Sequence, residues 1–322
     1  MKRVFSAAFL LASPAGPRAG LSSLIFHRVL PEPDLLFPTE VDSRQFDAIM
    51  GWVKQWFNVL PLHEAVERLK HGNLPAAAAA ITFDDGYADN YDIALPILRR
   101  HGLTATFFIA TGFLDGGRMF NDTVIEAIRS APPAQIDLTA IGLGRHTVDT
   151  IAARRATINA LLPQIKYQDP AQRAETVAAV AEACGVELPT VLMMTTPQLR
   201  ALHAAGMGIG AHTVNHPILA RLDTVNAHRE IAESKAHLEA VLGEPIRLFA
   251  YPNGKPGDDY LPEHAAMVKK LGFDAAVSTA WGAARVETDR YQLPRFTPWE
   301  RQKWRFGLSL LRNYGRNFRQ TP

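Results

Sequence analysis

Short apolar runs alternate with segments of helical period along most of this chain, and that alternation is what most limits its fold. Parallel strands need a crossover, and a helix is the usual one, so the pattern predicts βα units laid on a parallel sheet. The strand candidates are 21–29, 57–62, 76–83, 105–110, 207–211, 246–250, 273–278 and 291–296. Ser43 is expected to cap a helix that gathers Phe46, Ile49, Met50, Val53 and Phe57 on one face. Further helices are expected at 63–70, from Thr196 with Pro197 in its first turn, and at 224–242. The alanine run 76–80 favours helix by propensity, but the βα context that follows makes it a strand.

Residues 113–195 break the rhythm. They are rich in Ala and Arg, helical in period and interrupted by Pro132-Pro133, Pro163 and Pro170, which reads as a helical insertion. One domain at 20–298 with this insertion, followed by a basic C-terminal helix at 299–322, accounts for the length better than two domains. Hydrophobic residues at 47% and charged residues at 20% exclude a disordered chain. The net charge of +2 gives no bulk field to draw in nucleic acid, and the lone Cys184 excludes an internal disulfide.

Both ends leave the compartment open. Met1-Lys2-Arg3 before an apolar stretch at 4–12 fits either a signal peptide or an amphipathic arm. In the tail, Arg301, Lys303, Arg305, Arg312, Arg316 and Arg319 face one acid, Glu300, with Trp304, Leu308, Leu311 and Phe318 interleaved. Such a helix packs on the barrel with a solvated basic face, or makes weak membrane-surface contact.

Three segments at the ends of candidate strands carry chemistry. Asp84-Asp85-Gly86 pairs two carboxylates, one able to ligate a metal while the other handles a proton. His212-Thr213-Val214-Asn215-His216 offers two imidazoles that, with Asp85, make a three-ligand set of the kind that leaves a metal position open. In the third, Arg247 opens a strand that ends in Tyr251-Pro252-Asn253-Gly254.

Together these motifs resemble the polysaccharide deacetylases of carbohydrate esterase family four, the NodB-homology fold. The resemblance spans roughly residues 20–297 and rests on Thr82-Phe83-Asp84-Asp85-Gly86, His212-Thr213-x-x-His216, and Arg247 followed by Pro252. It implies an α/β architecture, a distorted (β/α)7-type barrel, acting as a metal-dependent hydrolase on an N-acetylated glycan. The metal, Zn2+ or another transition metal, would be held by Asp85, His212 and His216. Asp84 would be the base, Arg247 its orienting partner, and the Tyr251 backbone N–H an oxyanion donor. Thr213 would steady the histidine loop.

The family's late Leu-x-His is absent here, where Leu293-Pro294-Arg295-Phe296 stands instead. His27, at the end of the first strand, is the candidate acid, as in some biofilm-polysaccharide deacetylases. Tyr87, Pro252 and Trp281 are candidates for the sugar groove, with core packing the competing role for Trp281. Asn121 or Asp122 from the insertion would reach the glycan, and Asp289 would brace Arg247 or Arg295 or sit in a surface ion pair. Hydrolysis of another non-peptide C–N bond and a catalytically silent carbohydrate-binding role are the alternative functions.

Overall fold

A computed structural model describes residues 2–316 of the chain. Strands β1 (Ser22–Phe26), β2 (Asn58–Val59), β3 (Ala78–Phe83), β4 (Thr106–Ile109), β7 (Gly208–Ala211), β8 (Leu248–Ala250) and β9 (Ala275–Val277) form one parallel sheet. Its order is β1-β3-β4-β7-β8-β9, with β2 paired to the start of β3. The remaining strands, β5 (Gln135–Leu138) and β6 (Gly144–Thr147), form a separate antiparallel hairpin.

No regular strand fills 291–296. The segment instead bridges the sheet's two edges: Leu293 exchanges hydrogen bonds with Ala276 and Ser278, and Phe296 with Ser23 and Ile25, at 2.7–3.0 Å. The barrel therefore closes through a few isolated bridges, and residues between them can point inward.

The interior of the barrel is narrow. On β3, Ile81 and Phe83 face the helices, while Ala78, Ala80, Thr82 and then Asp84 follow the period of two on the other face. Phe108 fills the interior so tightly that a Cβ on Gly210 would meet its ring at 2.5 Å. Only Ala78–Ala80 of the alanine run join the strand, where small inward side chains fit; Ala76 and Ala77 form the turn before it, Ala77 at φ 49°.

Helix α1 (Lys2–Ala12) packs as an arm, burying Phe5 and Phe9 against Trp56 and Phe57. The next helix, α2 (Ser43–Trp56), buries the expected face, with Trp56 completing it, but its cap is Asp42, which accepts from the Arg44 and Gln45 amides. Helix α3 (Leu62–Lys70) precedes β3, and a π-helical turn (Asn90–Ala94) leads into α4 (Leu95–His101).

The insertion is more than helices. It holds α5 (Phe120–Ser130), the β5–β6 hairpin, α6 (Ile151–Lys166) and α7 (Pro170–Cys184) around its own apolar core of Val124, Ile128, Ile158, Leu161, Val180 and neighbours. Beyond it, α8 (Thr196–Ala204) is capped by Thr195 in a capping box with Gln198, one residue before the expected cap. Then come α9 (Thr224–Leu242), α10 (Pro262–Lys270) and α11 (Lys303–Asn313). α11 buries Phe306 and Leu310, while Trp304 and Leu308 stay exposed; the tail residues Phe318 and Arg319 lie outside the described residues. Among the described residues no helix is long and apolar enough to cross a membrane.

Candidate active site

Asp84 and Asp85 leave β3 in opposite directions because Asp85 adopts a left-handed φ of 79°. Asp84 continues the interior face and meets Arg295, whose Nη1 and Nη2 donate to its two oxygens at 2.6 and 2.7 Å. The guanidinium is fully buried. It also donates to the Ser278 carbonyl at 2.9 Å and the Thr82 hydroxyl at 3.2 Å, and lies 5.7 Å from the Phe108 ring centroid. Burial alone would raise the Asp84 pKa, but Arg295 and then His212 outweigh it and hold the carboxyl below its ordinary value.

Asp85 turns to the histidines. Its Oδ1 lies 3.4 Å from Nε2 of His212 and of His216, and that oxygen is buried with no hydrogen-bond partner of its own. The ligand atoms of the three residues fall within 4.8 Å of one another. His212 follows β7, and its Nδ1 is tied to the Ala250 carbonyl at 2.8 Å, which aims Nε2 at Asp85. His216 reaches the same point because Thr213 and His216 both take left-handed φ, 64° and 51°, and the Thr213 hydroxyl accepts the His216 amide at 3.1 Å. Thr213 therefore steadies the loop as expected. Burial lowers the His216 pKa to about 4, so its imidazole is neutral and free to ligate at neutral pH. Asp85 is held far below the carboxylate range because the histidines overcome its burial. A buried orphan oxygen, two converging imidazoles and an ionised carboxylate fit a divalent metal of the zinc type.

Several expected site residues sit elsewhere. Arg247 precedes β8, so it lies at the end of the barrel opposite Asp84; it is exposed and pairs with Asp274 at 3.2 Å. The contact with Asp84 expected of Arg247 is made by Arg295 instead. The Tyr251 N–H is committed to the Val277 carbonyl at 3.2 Å, and the ring is buried against Tyr260, so this amide is closed to an oxyanion. Pro252 is buried, and it is Asn253, at φ 58°, that lines the cavity. Asp289 braces neither arginine: it accepts from the Tyr291 amide and the Gln292 side chain, each at 3.0 Å. Tyr87 is buried, its hydroxyl on Asp122 at 3.1 Å and its ring under Arg28 at 4.8 Å, so little of it faces a groove. Trp281 is partly exposed beside Arg316, on a cavity that His27 also lines.

His27 is exposed directly after β1 and lines the same cavity of about 510 Å³ as Asp84, Asp85, His212, His216 and Asn253. Asn121, Lys166 and Arg173 bring the insertion to its rim. This cavity shares residues with three neighbours: His27 with two of them, and His216 with the third. The result is a branched trough with the Asp–His cluster at its crossing. Glu230, which no motif in the sequence marks, also serves the site. On α9 it accepts the Val214 and Asn215 amides at 3.0 and 2.8 Å and so pins the histidine loop. The clustering of left-handed non-glycine residues at Asp85, Thr213, His216 and Asn253 is a further mark of a functional site that only coordinates reveal.

A family model described as polysaccharide deacetylase matches residues 71–276, well over half of the chain. YxkH of Bacillus subtilis (strain 168), a relative that carries the polysaccharide deacetylase name, is 23% identical over 279 residues, covering 86% of this chain and 71% of that protein. Among solved structures, the Streptococcus pyogenes deacetylase PplD in complex with acetate aligns with a TM-score of 0.57 at 20% identity. It covers 87% of this chain and 92% of that one. IcaB from Ammonifex degensii gives 0.55 at 19%, with coverages of 89% and 97%. These two structural likenesses speak to the fold alone.

Proposed function

We propose that this chain, which belongs to the polysaccharide deacetylase family, removes N-acetyl groups from an N-acetylated glycan with a divalent metal, Zn2+ first among candidates, on Asp85, His212 and His216. The observation that carries this reading is the meeting, in one cavity, of that three-ligand cluster with a separate carboxylate, Asp84, clamped by a buried arginine.

An amide resists hydrolysis because its carbonyl is a weak electrophile and its amine a poor leaving group. A metal bound at the cluster supplies Lewis-acid polarisation of the acyl oxygen and of water. The chain's own residues do the rest. Arg295 keeps Asp84 ionised and fixed in orientation, so Asp84 accepts the proton of the attacking water. Asn253, on the turn after β8, is the residue from which that turn offers a polar group to the developing oxyanion. His27, across the cavity, gives a proton to the departing sugar amine. The branched trough favours an oligomeric glycan over a small enclosed amide.

Acetate release from N-acetylated oligosaccharides, measured with and without chelation, tests the reading. Turnover should vanish on chelation and return with added Zn2+; turnover that ignores the chelator overturns the metal role, and no acetate from any N-acetylated glycan overturns the reaction. His27→Gln should lower kcat by about 10²–10⁴-fold with metal content intact. Full activity in that variant removes His27 from the mechanism.

A further inference from the structure

The mouth of the barrel is electrically lopsided. On one side the insertion gives the active-site cavity Lys166 and Arg173 as part of its wall. From there a larger cavity of about 1030 Å³ continues past His216 and Arg173, lined also by Arg118, Arg221 and Arg229. Its three carboxylates keep their charge but are turned to backbone amides, leaving four arginines against three acids along this wall. Asp169 and Asp223 cap the starts of α7 and α9, and Glu230 holds the histidine loop. Across the active site, the cavity of about 250 Å³ has the opposite character, with Asp34, Glu40, Asp122 and Glu126 against Arg28 and Arg129.

Among the described residues, Arg118, Lys166, Arg173 and Arg221 make no direct ion pair with a carboxylate; Asp169 and Asp259 act on Arg173 and Lys166 only from a distance. Arg173 stacks on the Phe120 ring, 4.7 Å from guanidinium carbon to centroid, and reaches the Lys166 carbonyl at 3.4 Å. Lys166 and Arg221 both lie over the Tyr167 ring, at 5.6 and 5.8 Å. Arg118 donates to the Pro189 carbonyl at 2.7 Å, while its Nε is buried without a partner. Burial lowers the Arg173 pKa from its ordinary value, with Asp169 only partly offsetting it. A half-buried guanidinium with no directly hydrogen-bonded carboxylate loses hydration that a distant charge only partly offsets; a ligand anion restores it through bidentate, charge-assisted hydrogen bonds. The whole-chain charge of +2 gives no reason for cations to collect here, so the reason is local.

We propose that the acetamido sugar hydrolysed at this site sits next to an anionic group, a phosphate or a carboxylate, on the same glycan, and that Arg173 and Lys166 are the specificity-determining residues that bind it. The inference rests on the deacetylase reading and narrows its substrate class to acidic glycans. It also sets their direction, with the anion toward α7 and the more neutral or cationic part of the chain toward Glu40.

Three probes of equal length test it: tetra-N-acetylchitotetraose, its 1-phosphate, and an N-acetylated tetrasaccharide carrying one uronate. For each, Kd is measured by calorimetry and KM by acetate release, at low and high salt. At low salt, one anionic probe should bind about tenfold more tightly than the neutral one, and salt should shrink the difference. Which probe it is tells phosphate from carboxylate. The double change Arg173→Gln with Lys166→Gln should bring the preference within about twofold, whereas Arg173→Lys should retain part of it. Equal Kd and KM for all three probes on the unmodified protein overturn the proposal, whatever the variants do. An anion preference in binding with no acetate from any probe upholds the anion site and overturns the deacetylase reading instead.

Discussion

The barrel and the insertion meet at one cavity but are built on different terms. In the barrel, small interior residues such as Ala78, Ala80 and Gly210 bring strands close, and the loops at their ends hold Asp85, Thr213, His216 and Asn253 in left-handed backbone. In the insertion only Asp115, in the turn that leads into it, has such a φ among the described non-glycine residues, and from Phe120 to Cys184 the helices and hairpin wrap an ordinary apolar core. Left-handed backbone in one region converges Asp85, His212 and His216 on a point; the helical core of the other lends side chains to the rim. Chemistry is therefore tied to the barrel backbone, whereas recognition can change in the insertion without disturbing the Asp–His cluster.

Arg295 and Arg247 give the sharpest test of that division. Removing Arg295 leaves Asp84 buried without its counter-charge, which costs about 3–5 kcal/mol in comparable buried pairs. Arg295→Met should therefore lower the unfolding free energy by that order and remove most acetate release. Arg247→Met, at an exposed pair with Asp274, should stay within about 0.5 kcal/mol of the unmodified protein. Both are read by denaturant unfolding. Equal losses in the two variants would break the claim that the buried Arg295–Asp84 pair of the barrel interior, and not the exposed pair at its outer rim, holds the structure together.

The same two arginines mark what could be read from the sequence. Asp84-Asp85 and His212…His216 were legible because each directly follows an apolar run, and the C-terminal ends of parallel strands converge. Arg247 was assigned by its motif spacing, but a residue that opens a strand sits at the other end of the barrel from one that closes a strand. Arg295 was obscured because its segment is not a regular strand; two isolated bridges hold it, and only the lone charge within Leu293-Pro294-Arg295-Phe296 hinted at a buried role. The Tyr251 amide was lost to a ladder bond that residue order does not reveal. In the insertion, the exposed-buried alternation of Gln135–Leu138 is too short to stand out among Ala- and Arg-rich helices, so the hairpin was missed.

A cavity in the insertion core probes the division from the other side. Leu161→Ala removes a fully buried side chain from that core, a change worth about 2–5 kcal/mol. If the insertion is a separate packing unit, the loss should appear as faster amide exchange in α5–α7, with the barrel strands keeping their protection. KM should rise several-fold while kcat holds, since the Asp–His cluster is not touched. A matching fall in kcat, or uniform loss of protection, would show that the insertion and the barrel fold and work as one body.

The last effect is read as a change of stability with pH, and it lies at their seam. Asp122, in the first turn of α5, accepts the Tyr87 hydroxyl, and Tyr87 belongs to the loop that carries Asp85. A helix N-terminus favours a carboxylate, yet burial prevails here and raises the Asp122 pKa from 3.8 to about 7. Between those values the unfolded chain has released the proton while the native chain still holds it, so this group's contribution to stability falls as pH rises. The slope reaches about 1.4 kcal/mol per pH unit at most. Asp122→Asn keeps an oxygen for the Tyr87 hydroxyl and removes the titration. Its stability should therefore vary less with pH than that of the unmodified protein from about pH 4 to pH 7, and the two curves should separate most near neutrality. Parallel curves would mean that the seam is wetter than its burial implies, and that water, rather than a shared proton, joins the insertion to the Asp85 loop.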